Sequence, residues 1–292
     1  MGLWSPGNKQ KQTYQDNFKG AGQHTWGPRT IAIASGKGGV GKTSLAVNLA
    51  LCLAQMGYRT TLFDADLGMS NVEVMLGLVI PYSLYDVLYR DKTLEEIAVR
   101  GPFGVNIVSS GSGFLEMANL DQNRRRRLIS MLNQYSNQDD FVLIDTGAGI
   151  NKNVLGFVAA ADEVIIVVTP EPTSLTDAYA IIKVLATFKV HSGVHIVVNR
   201  SANKREARRV LDRLQVTAAR FLDIRINNLG WLQEDGLVVQ AIKKQEPFLI
   251  SHPNSAASRS VTEIAEQLTY TANPGRKDGF WHKLMSIFAR GG

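Results

Sequence analysis

Short, β-rich apolar runs recur along the chain, separated by stretches whose apolar residues fall at helical spacing. Ile31–Ser35, Thr60–Phe63, Val105–Val108, Phe141–Ile144, Val164–Val168 and Val194–Asn199 read as strands. Lys42–Met56, Asp121–Tyr135, Ser174–Phe188 and Lys204–Ala219 read as helices, followed by Gly236–Lys244, a break at Pro247, and Ser255–Leu268. Strand–helix alternation of this kind predicts an α/β fold: a mostly parallel, twisted sheet with helices on both faces. The strands are apolar throughout, as a sheet covered on both sides requires. Residues 1–28 are polar and rich in Gly, Gln and Lys, which predicts a flexible N-terminal arm. One domain is expected over residues 29–272. Asn273-Pro274-Gly275 then opens a hinge and C-terminal segment over 273–292.

Composition narrows the setting. A chain of 292 residues with 45% apolar content is an ordinary globular protein. A single cysteine, Cys52, excludes an intrachain disulfide and an all-cysteine metal site, and suits a reducing compartment. Met1 to Gly27 has no apolar signal segment, and no run approaches the ~18 apolar residues of a membrane span. The expectation is a cytoplasmic protein. The net charge of +6 is carried by the tails, because residues 1–30 and 275–292 each contribute +3. A basic tail suits an anionic membrane surface as well as nucleic acid, and a neutral body makes nucleic acid the less expected partner.

The strand at Ile31–Ser35 runs directly into Gly36-Lys37-Gly38-Gly39-Val40-Gly41-Lys42-Thr43, which then opens a helix. This is the Walker A pattern in the context it requires. Glycines let successive N–H groups converge on one anion, and the helix N-terminus adds its dipole. Gly36 through Thr43, with Ser44, are therefore candidate nucleotide-binding residues. Lys42 would reach the β- and γ-phosphates of ATP, and the Thr43 hydroxyl would ligate Mg²⁺. Asp64-Ala65-Asp66 and Asp145-Thr146-Gly147-Ala148-Gly149 each follow an apolar strand, which puts acidic groups on the rim that carries the loop.

Lys37 is not needed by an ordinary Walker A loop. With it, the segment resembles the deviant Walker A family that includes the MinD and ParA ATPases. The resemblance implies the following roles. Lys37 reaches across an ATP-dependent homodimer to the partner's nucleotide. Asp66 positions the hydrolytic water, and Lys37, Lys42 and Asp66 form the catalytic set. Thr43, Asp64 and Asp145 serve the metal. Gly147 and Gly149 give switch II its mobility. Asn199 reads adenine, with Arg200 beside the base. The reaction implied is ATP + H₂O → ADP + phosphate, Mg²⁺-dependent and slow, as suits a switch.

Three stretches resemble one branch of that family more closely. They are Asp64 to Leu78, Gly111-Ser112-Gly113-Phe114 with Glu116 to Leu120, and Ile144 to Ile150. They are similar to FlhG, also called FleN or YlxH, the MinD-like regulators of flagellar number and placement. The resemblance implies FlhF and flagellar switch (C-ring) proteins as partners, and a place at the cell pole. One departure concerns the arm. It has Tyr14-Gln15-Asp16-Asn17-Phe18 and lacks the Asp-Gln-Ala that many of these proteins use to stimulate FlhF.

Gly279–Arg290 follows the hinge. On a helix, Phe280, Trp281, Leu284, Met285, Ile287 and Phe288 fall within an arc of about 160°. Such a helix is too short to span a bilayer but suited to lie in its surface. The resemblance to MinD-type tails implies reversible attachment to the inner face of the cell membrane, strengthened when two copies pair. A docked helix, covered in the monomer and released on pairing, accommodates the same pattern. The alternatives are a ParA-like DNA- or cargo-positioning ATPase and a positioner of another polar or membrane structure. The arginines Arg124–Arg127 and the cations Lys204, Arg205, Arg208, Arg209 and Arg213 would serve DNA, but read as solvated helix faces. Cluster-carrying relatives need cysteines that this chain lacks. Cys52 is expected in the core, and His191 and His195 show no metal-ligand spacing.

Overall fold

The computed structural model describes residues 27–66, 71–111, 120–270 and 279–290; nearly all of the expected N-terminal arm (1–28) and the hinge expected to open at Asn273 lie outside them, as do residues 67–70, 112–119 and 291–292. The strands are β1 (Arg29–Ser35), β2 (Thr60–Ala65), β3 (Val99–Arg100), β4 (Asn106–Ser109), β5 (Phe141–Ala148), β6 (Glu163–Val168), β7 (Gly193–Ser201) and β8 (Arg225–Gln233). They form one sheet in the order β3-β4-β2-β5-β1-β6-β7-β8. Every pairing is parallel except β3 with β4. After β1 the chain moves to one side, and after β5 it crosses to the other, so a crevice opens outside the carboxyl ends of β1, β5 and β2.

One helical layer holds α1 (Lys42–Gln55) with α9 (Gly236–Lys243), α10 (Phe248–Ser251) and α11 (Ala256–Tyr270). The other holds α5 (Gln122–Ser136), α6 (Lys152–Ala160), α7 (Pro172–Thr187) and α8 (Lys204–Phe221). The short helices α2 (Asn71–Leu76), α3 (Leu84–Tyr89) and α4 (Leu94–Ile97) follow β2. Helix starts carry local signals. Asp121, Asn151 and Asn203 each accept from a backbone N–H in the first turn of α5, α6 and α8.

Helix α12 (Phe280–Arg290) changes the expected picture of the tail. It packs on α5 and α6 with its apolar arc inward: Phe280, Trp281, Leu284 and Met285 are buried, Phe288 is half-buried, and Ile287 is the exposed member at 36%. The indole Nε1–H of Trp281 donates to Ser136 Oγ at 3.2 Å, and its ring meets Phe63 edge-on at 5.1 Å. Phe288 meets Phe157 at 6.1 Å. The face assigned to a membrane is therefore occupied by the body in this state, because burying it against α5 and α6 removes the same rings from water that a bilayer would.

Several elements escaped the sequence pattern. β8 reads Arg-Ile-Asn-Asn-Leu-Gly-Trp-Leu-Gln, too broken for a core strand, and it lies on the sheet edge. α6 is apolar nearly all round, since α12 covers the side that would otherwise be polar.

Candidate functional site

The loop after β1 wraps the N-terminus of α1. Gly41 caps that helix at φ 90°, and a Cβ there would collide with the Asn199 amide. Gly36 is needed for a different reason: the backbone of Asp177 in α7 occupies the space a side chain would fill. Lys42 Nζ sits 2.7 Å from Asp145 Oδ1, with both side chains buried. Lys37 Nζ, half-exposed, lies 2.7 Å from Glu171 Oε2 and donates to Thr173 Oγ1 at 3.2 Å. Lys37 is thus held within its own chain here, on the first turn of α7.

Register brings the acidic residues together. Asp64 on β2 pairs directly across from Asp145 on β5, and Ile33 on β1 pairs with Asp145 on the other side. Asp64 Oδ1 accepts from Asp66 N at 3.1 Å. Among the described residues, Asp64 Oδ2 and Asp145 Oδ2 are buried without a hydrogen-bond partner. Burial and the neighbouring Asp145 charge push the Asp64 carboxyl up to about 7. Burial likewise pushes Asp145 upward, against the pull of the Lys42 ammonium. Two buried carboxylates, each with an uncommitted oxygen beside a phosphate loop, fit a hard divalent cation such as Mg²⁺. Thr43, Asp64 and Asp145 are the residues that would hold it, directly or through its water shell.

Asp66 stands beside the segment after Asp145, since a Cβ on Gly147 would lie 3.6 Å from Asp66 Oδ1. Asn71 Nδ2 donates to Asp66 Oδ2 at 3.4 Å. Gly149, at φ 90°, donates its N–H to Ser35 O at 2.8 Å, tying the turn after β5 to the end of β1.

A cavity of about 240 Å³ opens beside the loop, lined by Gly41, Ser44, Asn199, Arg200, Gln233 and Asp235 among others. Its size suits a purine base. Asn199 is on its wall, but both ends of its amide are engaged: Nδ2 donates to Val40 O at 2.7 Å, and Oδ1 accepts from Arg200 N at 2.9 Å. Asn199 therefore braces the phosphate loop in this state. The sequence pattern missed Gln233, Glu234, Asp235 and Val238 on that wall. They lie at the end of β8 and just after it, the strand that its polar interruptions hid. Cys52 packs in α1, where burial pushes its thiol up to about 11. The arginines of α5 and the cations of α8 lie mostly on exposed faces, as expected.

A phosphate loop after the first strand and a buried lysine–aspartate pair at the switch point of a parallel sheet, with a cavity beside the loop, define a P-loop ATPase of the MinD/ParA type. The family model described as an AAA domain matches residues 28–198. The antiactivator FleN of Pseudomonas aeruginosa is 38% identical over 267 residues, covering 90% of this chain and 95% of that protein. The flagellum site-determining protein YlxH of Helicobacter pylori is 30% identical over 267 residues, covering 89% and 88%. The septum site-determining protein MinD complexed with Mg-ADP, from Pyrococcus horikoshii OT3, superposes with a TM-score of 0.67 at 25% identity, covering 84% of this chain and 98% of that one. The chain belongs to the MinD/ParA-type ATPases, in the FleN/YlxH group also known as FlhG.

Proposed function

We propose that this chain is a Mg²⁺-dependent ATPase switch that pairs two copies around ATP, attaches them reversibly to the inner face of the cell membrane, and so regulates the number and placement of flagella. The flagellar role is supported by YlxH, a flagellum site-determining protein that the chain matches over 89% of its length, and by the resemblance of Asp64 to Leu78 and Ile144 to Ile150 to the FlhG group. FlhF and C-ring proteins are the partners this reading calls for.

The chain's own groups supply the chemistry. Gly38 to Thr43 present backbone N–H groups to the phosphates, and Lys42 turns from Asp145 to the β/γ oxygens. Lys37 leaves Glu171 to reach the nucleotide of the second copy. Its present ion pair is exposed and weak, so releasing it costs little. Asp66 orients the attacking water. Mg²⁺, when bound, neutralises phosphate charge as the γ-phosphoryl leaves.

One observation carries the link to membranes: α12 rests on the helix that follows switch II. Asn151 caps α6 immediately after Gly149 and Ile150, and Phe288 lies against Gly156 of that helix. A shift of switch II toward γ-phosphate moves α6 and loosens the seat of α12, exposing the apolar arc to lipid. Co-sedimentation with anionic vesicles tests this, using the full chain with ATP, with ADP, and as the Leu284→Asp variant. Binding with ATP alone, lost in the variant, is expected. Equal binding in all three overturns the membrane reading.

A further inference from the structure

Helix α5 opens with four consecutive arginines, Arg124 to Arg127, and carries no carboxylate from Gln122 to Ser136. Local electrostatics disfavours them there. Unpaired backbone N–H groups make a helix N-terminus positive, and Arg124 and Arg127, one turn apart, repel each other. Asp121, the N-cap, accepts from the backbone N–H groups of Asn123 and Arg124 at 2.8 and 2.9 Å, and its other oxygen lies 3.6 Å from Arg124 Nε. Among the described residues, no second carboxylate pairs with the run. Arg126 turns back on its own helix, donating to Gln122 O and Asn123 Oδ1.

Successive residues on a helix point about 100° apart, so four in a row look in every direction. A helix packed along its whole length buries at least one of them. Arg124 stands one turn before Leu128, in phase with the buried row Leu128, Leu132 and Ser136, yet its side chain is 64% exposed. Arg126 and Arg127 are exposed as well. Arg125 is half-buried and donates to Leu120 O at 3.1 Å. The first turns of α5 therefore project clear of the body. They do so on the rim that holds the phosphate loop, because α5 runs back from the carboxyl end of β4 to the start of β5, and both strands are parallel to β2.

Charge complementarity makes the partner an anion, and shape narrows it further. Guanidinium forks pair bidentately with carboxylate or phosphate. A bilayer surface or a nucleic-acid duplex is broad and stiff, and meets only the outer arc of a projecting helix. The cations on the segment before α5 that could widen such a footprint are already paired, Arg90 with Asp86 at 3.0 Å and Lys92 with Glu96 at 2.8 Å. No large apolar residue of α5 is exposed to enter lipid. A flexible acidic segment of a protein can follow the turn round and meet several arginines at once.

We propose that Arg124, Arg126 and Arg127 form a docking surface for an acidic segment of a partner protein. Arriving carboxylates relieve the repulsion that the free helix carries. The other end of α5 belongs to the seat of α12: Gly279 lies against Asn133, and Trp281 donates to Ser136. A partner held at the first turns of α5 is thus attached to the helix on which α12 rests, and it stands on the nucleotide rim.

The test uses the full chain and a fluorescein-labelled peptide of alternating Glu and Ala, read by fluorescence anisotropy. The expected result is binding that weakens with salt and falls about tenfold in Arg124→Ala/Arg127→Ala, with ATP affinity and the urea midpoint unchanged. Arg124→Lys/Arg127→Lys keeps the charge without the planar fork and should bind with intermediate affinity. Lys9→Ala/Lys11→Ala, in the basic arm, should bind the peptide as the parent does. Equal affinity in the parent and the arginine-to-alanine variant overturns the proposal, as does a loss seen only in the arm variant. A short DNA duplex or a phosphatidylglycerol vesicle that loses more affinity than the peptide on the same substitution also overturns it, in favour of a partner of that class. A lowered urea midpoint with peptide affinity unchanged would make the arginines structural and end the proposal.

Discussion

Lys42 Nζ and Asp145 Oδ1 lie 2.7 Å apart, with the aspartate side chain wholly excluded from solvent. The pair keeps the phosphate-binding lysine aimed along the sheet edge. It also stores a vulnerability, because removing one member strands the other. Lys42→Ala should destabilise the nucleotide-free chain by about 3–5 kcal/mol. Lys42→Ala/Asp145→Asn should recover much of that loss in urea unfolding while ATP binding stays abolished. A double variant no more stable than the single one would show that the pair is not what Lys42 contributes to the fold.

Asp66 lies beside Gly147 without joining the buried lysine pair. Asp66→Ala is expected to retain ATP binding, lower phosphate release about 10²-fold and accumulate dimers, as loss of a water-positioning group does. Phosphate-release assays and light scattering read both effects. Hydrolysis at the parent rate would remove Asp66 from the mechanism.

Gly156 leaves room for the Phe288 ring, since a Cβ there would meet ring carbons at 3.1 and 3.2 Å. Gly156→Val should wedge α12 from its seat at a cost of about 1–3 kcal/mol. The expected outcome is vesicle binding without ATP and a red shift of Trp281 emission as its indole leaves Ser136. Nucleotide-independent release with unchanged ATP affinity would separate docking from the site.

Asp139 provides a pH signature away from the nucleotide. Burial pushes its carboxyl from the usual 3.8 up to about 6, with Arg59 opposing only in part. The folded chain therefore binds more protons than the unfolded one between those values. Stability falls as pH rises through that window, and the cost is fully present above it. Asp139→Asn should gain about 1–2 kcal/mol at pH 8 and lose that advantage near pH 4. Urea titrations at the two pH values check the sign; an equal gain at both would assign the effect to packing instead.

The phosphate loop was legible in the sequence because its geometry is local. Gly36 to Thr43 are contiguous, and the strand before and helix after them are set by adjacent apolar runs. The six strands named from those runs all appear in the sheet, as do the long helices with a polar outer face. β8 and α6 were missed, and the same physics explains both. An edge strand need not be apolar throughout, and a helix covered on every side loses its polar face.

What the sequence determined by itself was therefore the class of fold, the phosphate-binding chemistry and the amphipathic character of the last helix, each a property of consecutive residues. The tertiary structure decided how those properties are used. It set Asp64 and Asp145 side by side through strand register, turned Lys37 to Glu171, and walled the cavity beside the phosphate loop with residues at the end of β8 and just beyond it. It also gave the apolar arc of α12 to the body and left Phe188 and Phe221 in water. An amphipathic pattern states that a face will leave water but not what will cover it. That choice depends on which surfaces the fold brings within reach.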